Sequence, residues 1–451
     1  MDLSELRNTF EERNIRKVKV GGFDVDGILR GKLISLEKFW SAAEKGFGFC
    51  DVIFGWDVAD QLYDNAAVTG WHSGYPDAHA KIDLSTFRVL PSEPDTACFL
   101  ASFYLPNDKH RHPACPRGLL ERVVARAEAA GYRPKFGVEL EFWIFAEDPD
   151  SLADKDFRKL NPLSPGNYGY SWLRTGQFSE VVHDVMDTMS DFGISIEGLH
   201  TETGPGVWEV ALTYCDALEA ADRAALFKTT LKQVLCRHGL SATFMAKWNA
   251  ALPGSSGHLH QSLMDSTEST NLFHDPSRES GLTDLARHYI GGQVKLAREL
   301  TALYSPFINT YKRYVPGVWA PLTPSWGIEN RTCSVRVIAA GSATRVEYRQ
   351  TASDINPYIA IATNLAAGMW GIEHAIEPPA PTMGDATAVD DAETLPGTLA
   401  EANRALAESE IARVILGDAF VDHYVRTRDW EIREYQKAVT DWELRRYFEA
   451  V

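Results

Sequence analysis

Two carboxylates, Glu139 and Glu141, lie two positions apart in the apolar run Phe136–Phe145. The run predicts a buried strand, and alternate side chains of a strand point to the same face. Neighbouring carboxylates repel each other and lose hydration unless a positive group lies between them. A divalent cation would supply that charge, whereas a strand with one solvated face is the simpler alternative. Four other polar stretches of the chain bear on this choice.

A second group of acids surrounds a predicted hairpin. His200 and Glu202 share one face of a strand, and the turn Gly204-Pro205-Gly206 brings Glu209 back on the partner strand. A single Glu in this position would most simply be solvated. Several acids and a histidine around one tight turn favour a ligand-binding site instead.

Two histidines follow the flexible loop Gly254–Gly257. His258, His260 and Ser262 alternate along the chain, so they face one side of a predicted strand. A single core histidine is usually structural. The alternating set favours a ligand, because imidazole binds metal ions and donates hydrogen bonds to phosphate.

Arginines complete the set of polar groups. Arg313 precedes a Pro-Gly turn and is suited to holding a carboxylate, and Arg345, Glu347 and Arg349 share one strand face. The chain has no Walker-type glycine-rich loop, so a nucleotide would be held by strands, arginines and metal ions. Acids suited to Mg²⁺ or Mn²⁺, together with arginines suited to phosphate, indicate ATP-dependent phosphoryl transfer to a carboxylate.

The bulk composition excludes several classes of protein. A chain of 451 residues with 45% hydrophobic residues predicts a globular protein of two domains or one large one. The net charge of −17 argues against a nucleic-acid partner. The six cysteines form no C-x-x-C pair, and we find neither a signal peptide nor an apolar stretch long enough for a bilayer. We therefore expect a cytoplasmic protein with no membrane partner.

The elements that position these residues follow from hydrophobic periodicity and turn residues. We predict a small mixed unit first, then a polar linker at 107–113, and then strands alternating with amphipathic helices. The predicted elements are helices at 1–14, 36–43, 117–130, 216–238 and 284–304, a hairpin turning at 26–27, strands at 80–89, 97–104 and 136–145, a surface loop at 377–396, and a helical stretch at 399–451.

The order of these motifs resembles the type I glutamine synthetase superfamily over essentially the whole chain. The resemblance rests on E-x-E at 139–141, H-x-E at 200–202, H-x-H-x-S at 258–262, N-R at 330–331 and R-x-E-x-R at 345–349, with 27–32 and 441–443 in support. It implies an α+β fold with a β-grasp domain at 1–108 and a catalytic domain at 109–451, whose antiparallel sheet is flanked by helices. It also implies a dodecamer of two hexameric rings with active sites between subunits.

The resemblance implies a role for each motif residue. It gives Glu141, Glu202 and Glu209 to a metal on the glutamate side, and Glu139, His258 and Glu347 to a metal that bridges ATP phosphates. It gives Glu197, His260, Ser262, Arg336 and Arg345 to ATP, and Gly254, Arg313, Arg331 and Arg349 to glutamate. Arg331 and Arg313 are the implied catalytic arginines, and the implied chemistry is γ-glutamyl phosphate formation followed by attack of a nitrogen nucleophile.

Departures from the family pattern concern the nucleophile. Trp319 stands where glutamine synthetases carry the Glu that binds ammonium and takes its proton, and an indole accepts no proton. We therefore predict a ligase that joins L-glutamate to a primary amine, with Trp319, Phe54 and Trp56 as walls of the amine pocket. The alternatives are a true glutamine synthetase that uses ammonia and a non-catalytic structural or regulatory relative.

Overall fold

The structure is a computed structural model that describes residues 2–106, 109–388 and 393–451. Helices cover much of the chain, and three of them begin with a proline in the first turn, where a missing N–H costs nothing. The helices are α1 Leu3–Glu12, α2 Leu36–Lys45, α3 Pro116–Ala129, α4 Pro149–Asp154, α5 Trp172–Gln177, α6 Ser179–Asp191, α7 Ala217–Arg237, α8 Asp284–Leu296, α9 Thr301–Tyr304, α10 Pro357–Glu373, α11 Leu399–Glu408, α12 Glu410–Leu416, α13 Asp418–Lys437 and α14 Asp441–Tyr447.

The strands form two sheets, so the architecture is α+β, as predicted from the sequence. Within the described ranges, the first sheet has five strands in the order β2-β1-β5-β4-β3, and the second has nine, with β12-β13-β14-β11-β6-β8-β7 as its main path. The strands are β1 Lys17–Phe23, β2 Leu29–Ser35, β3 Phe47–Cys50, β4 Asp77–Val89, β5 Thr96–Tyr104, β6 Tyr132–Phe145, β7 Ile196–Thr201, β8 Val207–Leu212, β9 Cys215–Asp216, β10 Ser241–Thr243, β11 Leu259–Asp265, β12 Trp326–Ile328, β13 Val335–Ile338 and β14 Arg345–Tyr348.

The predicted hairpin at Asp26-Gly27 joins β1 to β2 and is confirmed. Gly27 has φ +79°, a conformation that glycine adopts without steric cost, and the Asp24 side chain accepts hydrogen bonds from the N–H groups of Asp26 and Ile28. The same carboxylate accepts a hydrogen bond from Arg30 Nε at 2.9 Å. Local polar contacts therefore fix the turn that projects from the first sheet.

Strand β6 is the centre of the second sheet. It pairs with β11 on one side and β8 on the other, both antiparallel, whereas β12 and β13 pair in parallel. Val138, Leu140 and Phe142 are at most 1% exposed, and the Phe142 ring packs edge-on against Phe227 of α7. One face of β6 thus anchors the sheet to its helices and leaves the opposite face for polar side chains.

Two elements of the structure differ from those predicted from the sequence. The helix predicted over 284–304 divides into α8 and α9, with hydrogen-bonded turns at 297–300 between them. The loop at 377–396 contains one short 3₁₀ turn, Ala386–Ala388, and its residues 389–392 lie outside the described residues. Residues 107 and 108, at the predicted domain boundary, also lie outside them, so that boundary stays a prediction.

Buried polar contacts join the first sheet to the helices that support the second. Asp26 Oδ1 lies 2.5 Å from Arg428 Nη2 of α13, with both side chains at most 4% exposed. Arg428 Nη1 also donates to the carbonyl of Pro306, and Asn356 Nδ2 donates to the carbonyls of Asp24 and Val25. The hairpin at the end of β1 is therefore tied to α13 through Arg428 and to the start of α10 through Asn356.

We predict that Asp26→Asn destabilises the protein by about 3–5 kcal/mol, because it leaves the Arg428 charge buried without its closest anionic partner. Chemical denaturation followed by circular dichroism measures the change. Asp64→Asn is the control, since its pair with Arg433 is exposed and should contribute less than about 1 kcal/mol. Equal losses of stability in the two variants would contradict the stabilising role of the buried Asp26–Arg428 pair.

Candidate active site

One cluster of site residues lies in a row across three strands. His200 of β7 pairs in register with Glu209 of β8, and Glu209 pairs with Glu141 of β6. His200 Nε2 is 3.8 Å from Glu209 Oε1. Glu202 follows the end of β7, where its carboxylate accepts a hydrogen bond from the N–H of Thr203. The hairpin predicted from the Gly-Pro-Gly turn thus brings Glu209 beside Glu141.

A second cluster lies across β13, β14 and β11. Arg336 pairs in register with Glu347, and Glu347 pairs with His260. His260 Nε2 is 3.0 Å from Oε1 of Glu139, and His258 Nδ1 is 3.4 Å from both Glu139 Oε2 and Glu347 Oε1. Glu139 of β6 therefore belongs to the second cluster, whereas Glu141 of the same strand belongs to the first.

Burial and mutual repulsion act together on the first cluster. Burial, and then the charges of Glu141, Glu139 and Glu202, raise the pKa of Glu209 to about 9. Burial also raises the pKa of Glu141 to about 7, although its carboxylate accepts a hydrogen bond from the N–H of Ser256 at 2.6 Å. Arg313 and Arg349 lower the pKa of Glu141 but do not outweigh burial, and a bound cation would relieve the remaining cost.

Cations and histidines reverse the balance in the second cluster. Burial alone would raise the pKa of Glu139, but hydrogen bonds from His258 and His260 outweigh it and hold the pKa well below its usual range. Burial of Glu347 is likewise outweighed, first by His258 and Arg349, so its pKa falls to about 2. Both carboxylates are therefore ionised at neutral pH and available as ligands.

The donor set of the second cluster fits a divalent metal ion. Ligand atoms of Glu139, His260 and Glu347 lie within 4.8 Å of one another. His258 Nε2 is buried and has no hydrogen-bond partner among the described residues, so this nitrogen is also available. The resemblance named His258 as the ligand, whereas the compact group contains His260; both imidazoles contact Glu139. Carboxylate and imidazole ligands suit Mn²⁺, and carboxylates suit Mg²⁺.

Arg313 lies behind the first cluster and is 2% exposed. Its guanidinium donates to the carbonyls of Gln350 at 3.0 Å and Arg349 at 3.2 Å, and to the Ser256 hydroxyl at 3.3 Å. Gly254 lies directly against it, since a Cβ at that position would be 2.9 Å from Arg313 Cγ. The guanidinium is therefore held rigidly by backbone acceptors beside the Gly254 loop.

Two further arginines meet at the end of β14. Arg349 donates through Nε to the carbonyl of Arg331 at 3.1 Å, and its Nη1 contacts the Glu347 carboxylate. Arg349 is 4% exposed, whereas Arg331 is exposed and its charge lowers the pKa of Tyr170, although burial raises that pKa overall. The buried Arg349 thus supports the loop that carries the exposed Arg331.

Two of the predicted ATP residues, Arg336 and Arg345, contact members of the second cluster. Arg336 contacts Glu347 at 2.9 Å and Glu329 at 2.6 Å, and its buried Nε–H has no acceptor among the residues described. Arg345 Nε lies 3.2 Å from His260 Nδ1. The unpaired Nε–H and the guanidinium of Arg345 are donors that a polyphosphate can accept from.

The remaining predicted ATP residues differ in exposure. Ser262 lies on the partly exposed face of β11 with His260, between the buried Gln261 and Leu263, so the predicted alternation is confirmed. Glu197 lies at the register shift of β7 between Ile196 and Gly198, and its side chain is exposed. Of the five predicted ATP residues, Glu197 is the one on β7, at the end of the second sheet that lies away from the second cluster.

The three predicted walls of the amine pocket lie in different environments. Trp319 is 70% exposed in the turn that follows Gly317. Phe54 is fully buried, stacked on His112 with ring centroids 4.5 Å apart, so the structure gives it a packing role and not the predicted pocket role. Trp56 is partly buried, with the Arg30 guanidinium 4.9 Å from its ring centroid.

Tyr170 is a site residue that sequence reasoning missed. Its ring centroid is 4.4 Å from that of His200, and its pKa is raised by burial and by the charges of Glu202 and Glu209. The backbone N–H of Tyr170 donates to the carbonyl of Thr201, which fixes the loop on β7. The concentration of glycines and aromatic residues at 166–172 was the available indication.

Comparisons with known proteins agree with this geometry. The family model described as glutamine synthetase, catalytic domain, matches residues 113–447. The chain belongs to the glutamine synthetase family. It is an ATP-dependent carbon–nitrogen ligase, and the family uses ATP and divalent metal ions.

Curated relatives of this glutamine synthetase family member include proteins named as glutamine synthetases and proteins named for amine substrates or products. It is 46% identical to type-1 glutamine synthetase 2 of Dictyostelium discoideum, over 94% of this chain and 81% of that protein. It is 40% identical to a glutamate–isopropylamine ligase of a Pseudomonas species, over 95% and 94% of the two chains. It is 36% identical to a γ-glutamylethanolamide synthetase of Streptomyces coelicolor, over 100% and 96%.

A solved structure supports the same fold. A GmaS/ADP complex superposes with a TM-score of 0.86 at 30% identity, covering 100% of both chains. The glutamine synthetase fold predicted from the sequence is therefore confirmed. None of the helices in the described part of the chain is long and apolar enough to cross a membrane.

We predict that Glu209→Gln stabilises the metal-free protein, increasingly so as pH rises from about 5 to about 8. The pKa of Glu209 is about 9 in the folded state, above the ordinary value of 4.5, so folding binds a proton and stability falls as pH rises between these values. Thermal unfolding in EDTA measures the difference between the variant and the wild type.

Added Mn²⁺ should make the wild type more stable than Glu209→Gln. The variant lacks one carboxylate ligand, so its Tm rises less on binding the metal ion. Glu377→Gln is the matched control, since Glu377 pairs with Arg287 on the surface. An equal gain from Mn²⁺ in wild type and Glu209→Gln would rule out Glu209 as a ligand.

Proposed function

We propose that this protein joins the γ-carboxylate of L-glutamate to a primary amine, with ATP as the energy source. Glutamate is first phosphorylated to γ-glutamyl phosphate, and the amine then displaces phosphate to form the γ-glutamyl amide. The membership of the glutamine synthetase family supports the ligase chemistry. The residue at position 319 carries the choice of nucleophile.

The two clusters supply one metal site each in this proposal. Glu141, Glu202 and Glu209 would hold a cation on the glutamate side, and Glu139, His258 and Glu347 one on the phosphate side. His260 contacts Glu139 at 3.0 Å, so it is a further ligand candidate beside its proposed contact with ATP. Bound Mg²⁺ or Mn²⁺ would neutralise the negative charge of the phosphates and the carboxylate.

The arginines orient and neutralise the substrates in this proposal. Arg313 and Arg349 line the glutamate side with Gly254, and the exposed Arg331 extends toward the transferring phosphoryl group. Glu197, Ser262, Arg336 and Arg345 surround ATP with His260. The support is chemical: Arg336 has a buried N–H without an acceptor in the described part of the chain, and Arg345 contacts His260.

Trp319 is the observation that favours an amine over ammonia. The turn Val315–Pro321 contains no carboxylate, so no residue of it can take a proton from ammonium. The indole is 70% exposed and offers an apolar and aromatic surface to a substituent on nitrogen. Relatives named for isopropylamine and ethanolamide synthesis, at 40% and 36% identity, support a substituted amine as substrate.

Two alternatives remain in competition with this proposal. Glutamine synthesis from ammonia is favoured by the 46% identity to type-1 glutamine synthetase 2. A non-catalytic relative is disfavoured because all six proposed ligand positions carry a carboxylate or an imidazole. The proposal therefore depends on which nitrogen nucleophile gives the highest turnover.

We further propose a dodecamer of two hexameric rings, located in the cytoplasm. Aromatic residues of the carboxyl-terminal segment are exposed, with Trp442 at 56% and Phe448 at 80%, and exposed apolar residues of this kind mark protein contacts. All six cysteines are free, as is usual in a reducing compartment. Multi-angle light scattering measures the number of subunits.

We predict that the purified protein hydrolyses ATP in a glutamate-dependent manner fastest with small alkyl amines. A coupled ADP-release assay with ammonia, methylamine, isopropylamine, ethanolamine and putrescine measures kcat/KM for each nucleophile. Mass spectrometry identifies the γ-glutamyl product. Highest turnover with ammonia would establish glutamine synthesis instead, and no turnover with any nucleophile would support the non-catalytic alternative.

We predict that Trp319→Glu shifts the preference toward ammonia, raising the ratio of ammonia to isopropylamine kcat/KM by about tenfold or more. The new carboxylate accepts a proton and attracts ammonium, and the apolar contact with the alkyl group is lost. Trp172→Glu is the matched control, since Trp172 is 93% exposed outside the 315–321 turn. An unchanged ratio in Trp319→Glu would separate Trp319 from nucleophile selection.

A further inference from the structure

A cavity of about 310 Å³ lies between the first sheet and helix α7. Its volume is at the lower end of the range of small-molecule sites, roughly 300–1,000 Å³. Strands β1, β2, β4 and β5 form one wall, and Leu226, Thr229, Thr230 and Gln233 of α7 form the other. No metal, ATP or glutamate residue proposed above lines it.

Two glycines create the space in the sheet wall. Gly21 of β1 and Gly31 of β2 pair directly opposite each other, and both line the cavity. A Cβ at either position would meet backbone of the paired strand within 3 Å, at Arg30 O or Val20 O. Neither position can therefore carry a side chain without moving the backbone, so the sheet does not fill the cavity from these two positions.

The polar end of the cavity is cationic. Arg88, which is 8% exposed, lines the cavity, and its Nε–H is buried without an acceptor in the described residues. Its other nitrogens are occupied, Nη2 by Glu219 at 2.7 Å and Nη1 by the carbonyl of Thr86. An unmade hydrogen bond on a buried charged group is costly, which favours an anionic acceptor at this point.

A second cation approaches the same place. The charges of Lys19 and Arg88 both lower the pKa of the Cys98 thiol, although burial has the larger effect and raises that pKa to about 11. Lys19 also pairs with Glu93 at 2.5 Å, so Glu93 and Glu219 are the acids that offset these two cations. Lys32 of β2 also lines the cavity, with its Nζ 4.5 Å from the Phe49 ring centroid, whereas Arg88 Nε is the buried donor without an acceptor among the described residues.

The rest of the lining is largely apolar. Leu29 and Leu33 come from β2, Leu100 from β5, Leu226 from α7, and Phe192 from the segment after α6. An apolar chain of moderate length buried here would gain about 25 cal/mol per Å² of surface removed from water. The cavity thus combines one unsatisfied cationic donor with an apolar body.

We propose that this cavity is a binding site for a small monocarboxylate with an unbranched apolar chain. The carboxylate accepts a hydrogen bond from Arg88 Nε, and the chain lies between the glycine pair and α7. The site is separate from the ligase chemistry, so it is tested by binding and does not depend on the amine that the enzyme uses.

Thermal unfolding of the full-length protein with straight-chain carboxylates of increasing length provides the test, with primary alcohols of equal length as the neutral comparison. The carboxylates should raise the Tm by about 2 °C or more at saturation, with an optimum in chain length, and the alcohols should not. Saturating L-glutamate should leave this rise unchanged, since glutamate occupies a different site. Loss of the rise with glutamate would overturn the proposal.

Two variants locate the site. Arg88→Gln should raise the carboxylate concentration for half-maximal shift by about tenfold or more, and it leaves Glu219 paired with Arg223 at 2.7 Å. Thr229→Phe should fill the cavity and abolish the shift, whereas Cys236→Phe, exposed on the same helix, should not. Each Tm shift is measured from the baseline of its own variant.

Three further results would overturn the proposal. The first is no rise with any carboxylate, which is also the result expected if a neighbouring subunit fills the cavity. The second is an equal rise with alcohols, and the third is an undiminished rise in Thr229→Phe. A crystal structure with the best carboxylate then identifies the contact with Arg88 Nε directly.

Discussion

Repulsion among buried carboxylates is the constraint on which the site depends. Glu139, Glu141 and Glu209 approach one another on adjacent strands, and burial removes the water that would otherwise screen them. The two clusters resolve this differently. Histidines and arginines neutralise the Glu139 side, whereas the Glu209 side keeps acids with raised pKa values and takes up protons or a cation. The two sides of β6 therefore differ in charge balance, although both carry carboxylates that could hold a cation.

Strand pairing holds these acids close together against their mutual repulsion. Glu209 is held between Glu141 and His200 by strand pairing on both sides. The N–H of Glu141 donates to the carbonyl of Ser256, and the N–H of Ser256 donates back to its carboxylate. Strand β6 buries its other face against α7. Apolar packing on one face therefore opposes the electrostatic cost on the other.

The sequence predicted the parts of the site that follow from local geometry. Strand alternation was enough to place Glu139 with Glu141, and His260 with Ser262, because the period of two is a property of the backbone. Phe54 depended on tertiary packing that no local pattern encodes, and it lies in the core against His112. Tyr170 lies in a loop, where spacing does not determine direction. The family resemblance supplied the roles of residues, which geometry alone does not give.

The division between strands and turns also explains how one scaffold can serve different nucleophiles. A change at Glu209 alters the charge felt by Glu141 and Glu139, because these acids share one electrostatic environment. Trp319 stands in a turn after Gly317, largely exposed, so a change there removes no core packing. If Trp319 contacts the nucleophile as proposed, the nucleophile can change separately from phosphoryl transfer, which would fit relatives named for glutamine, isopropylamine and ethanolamide chemistry.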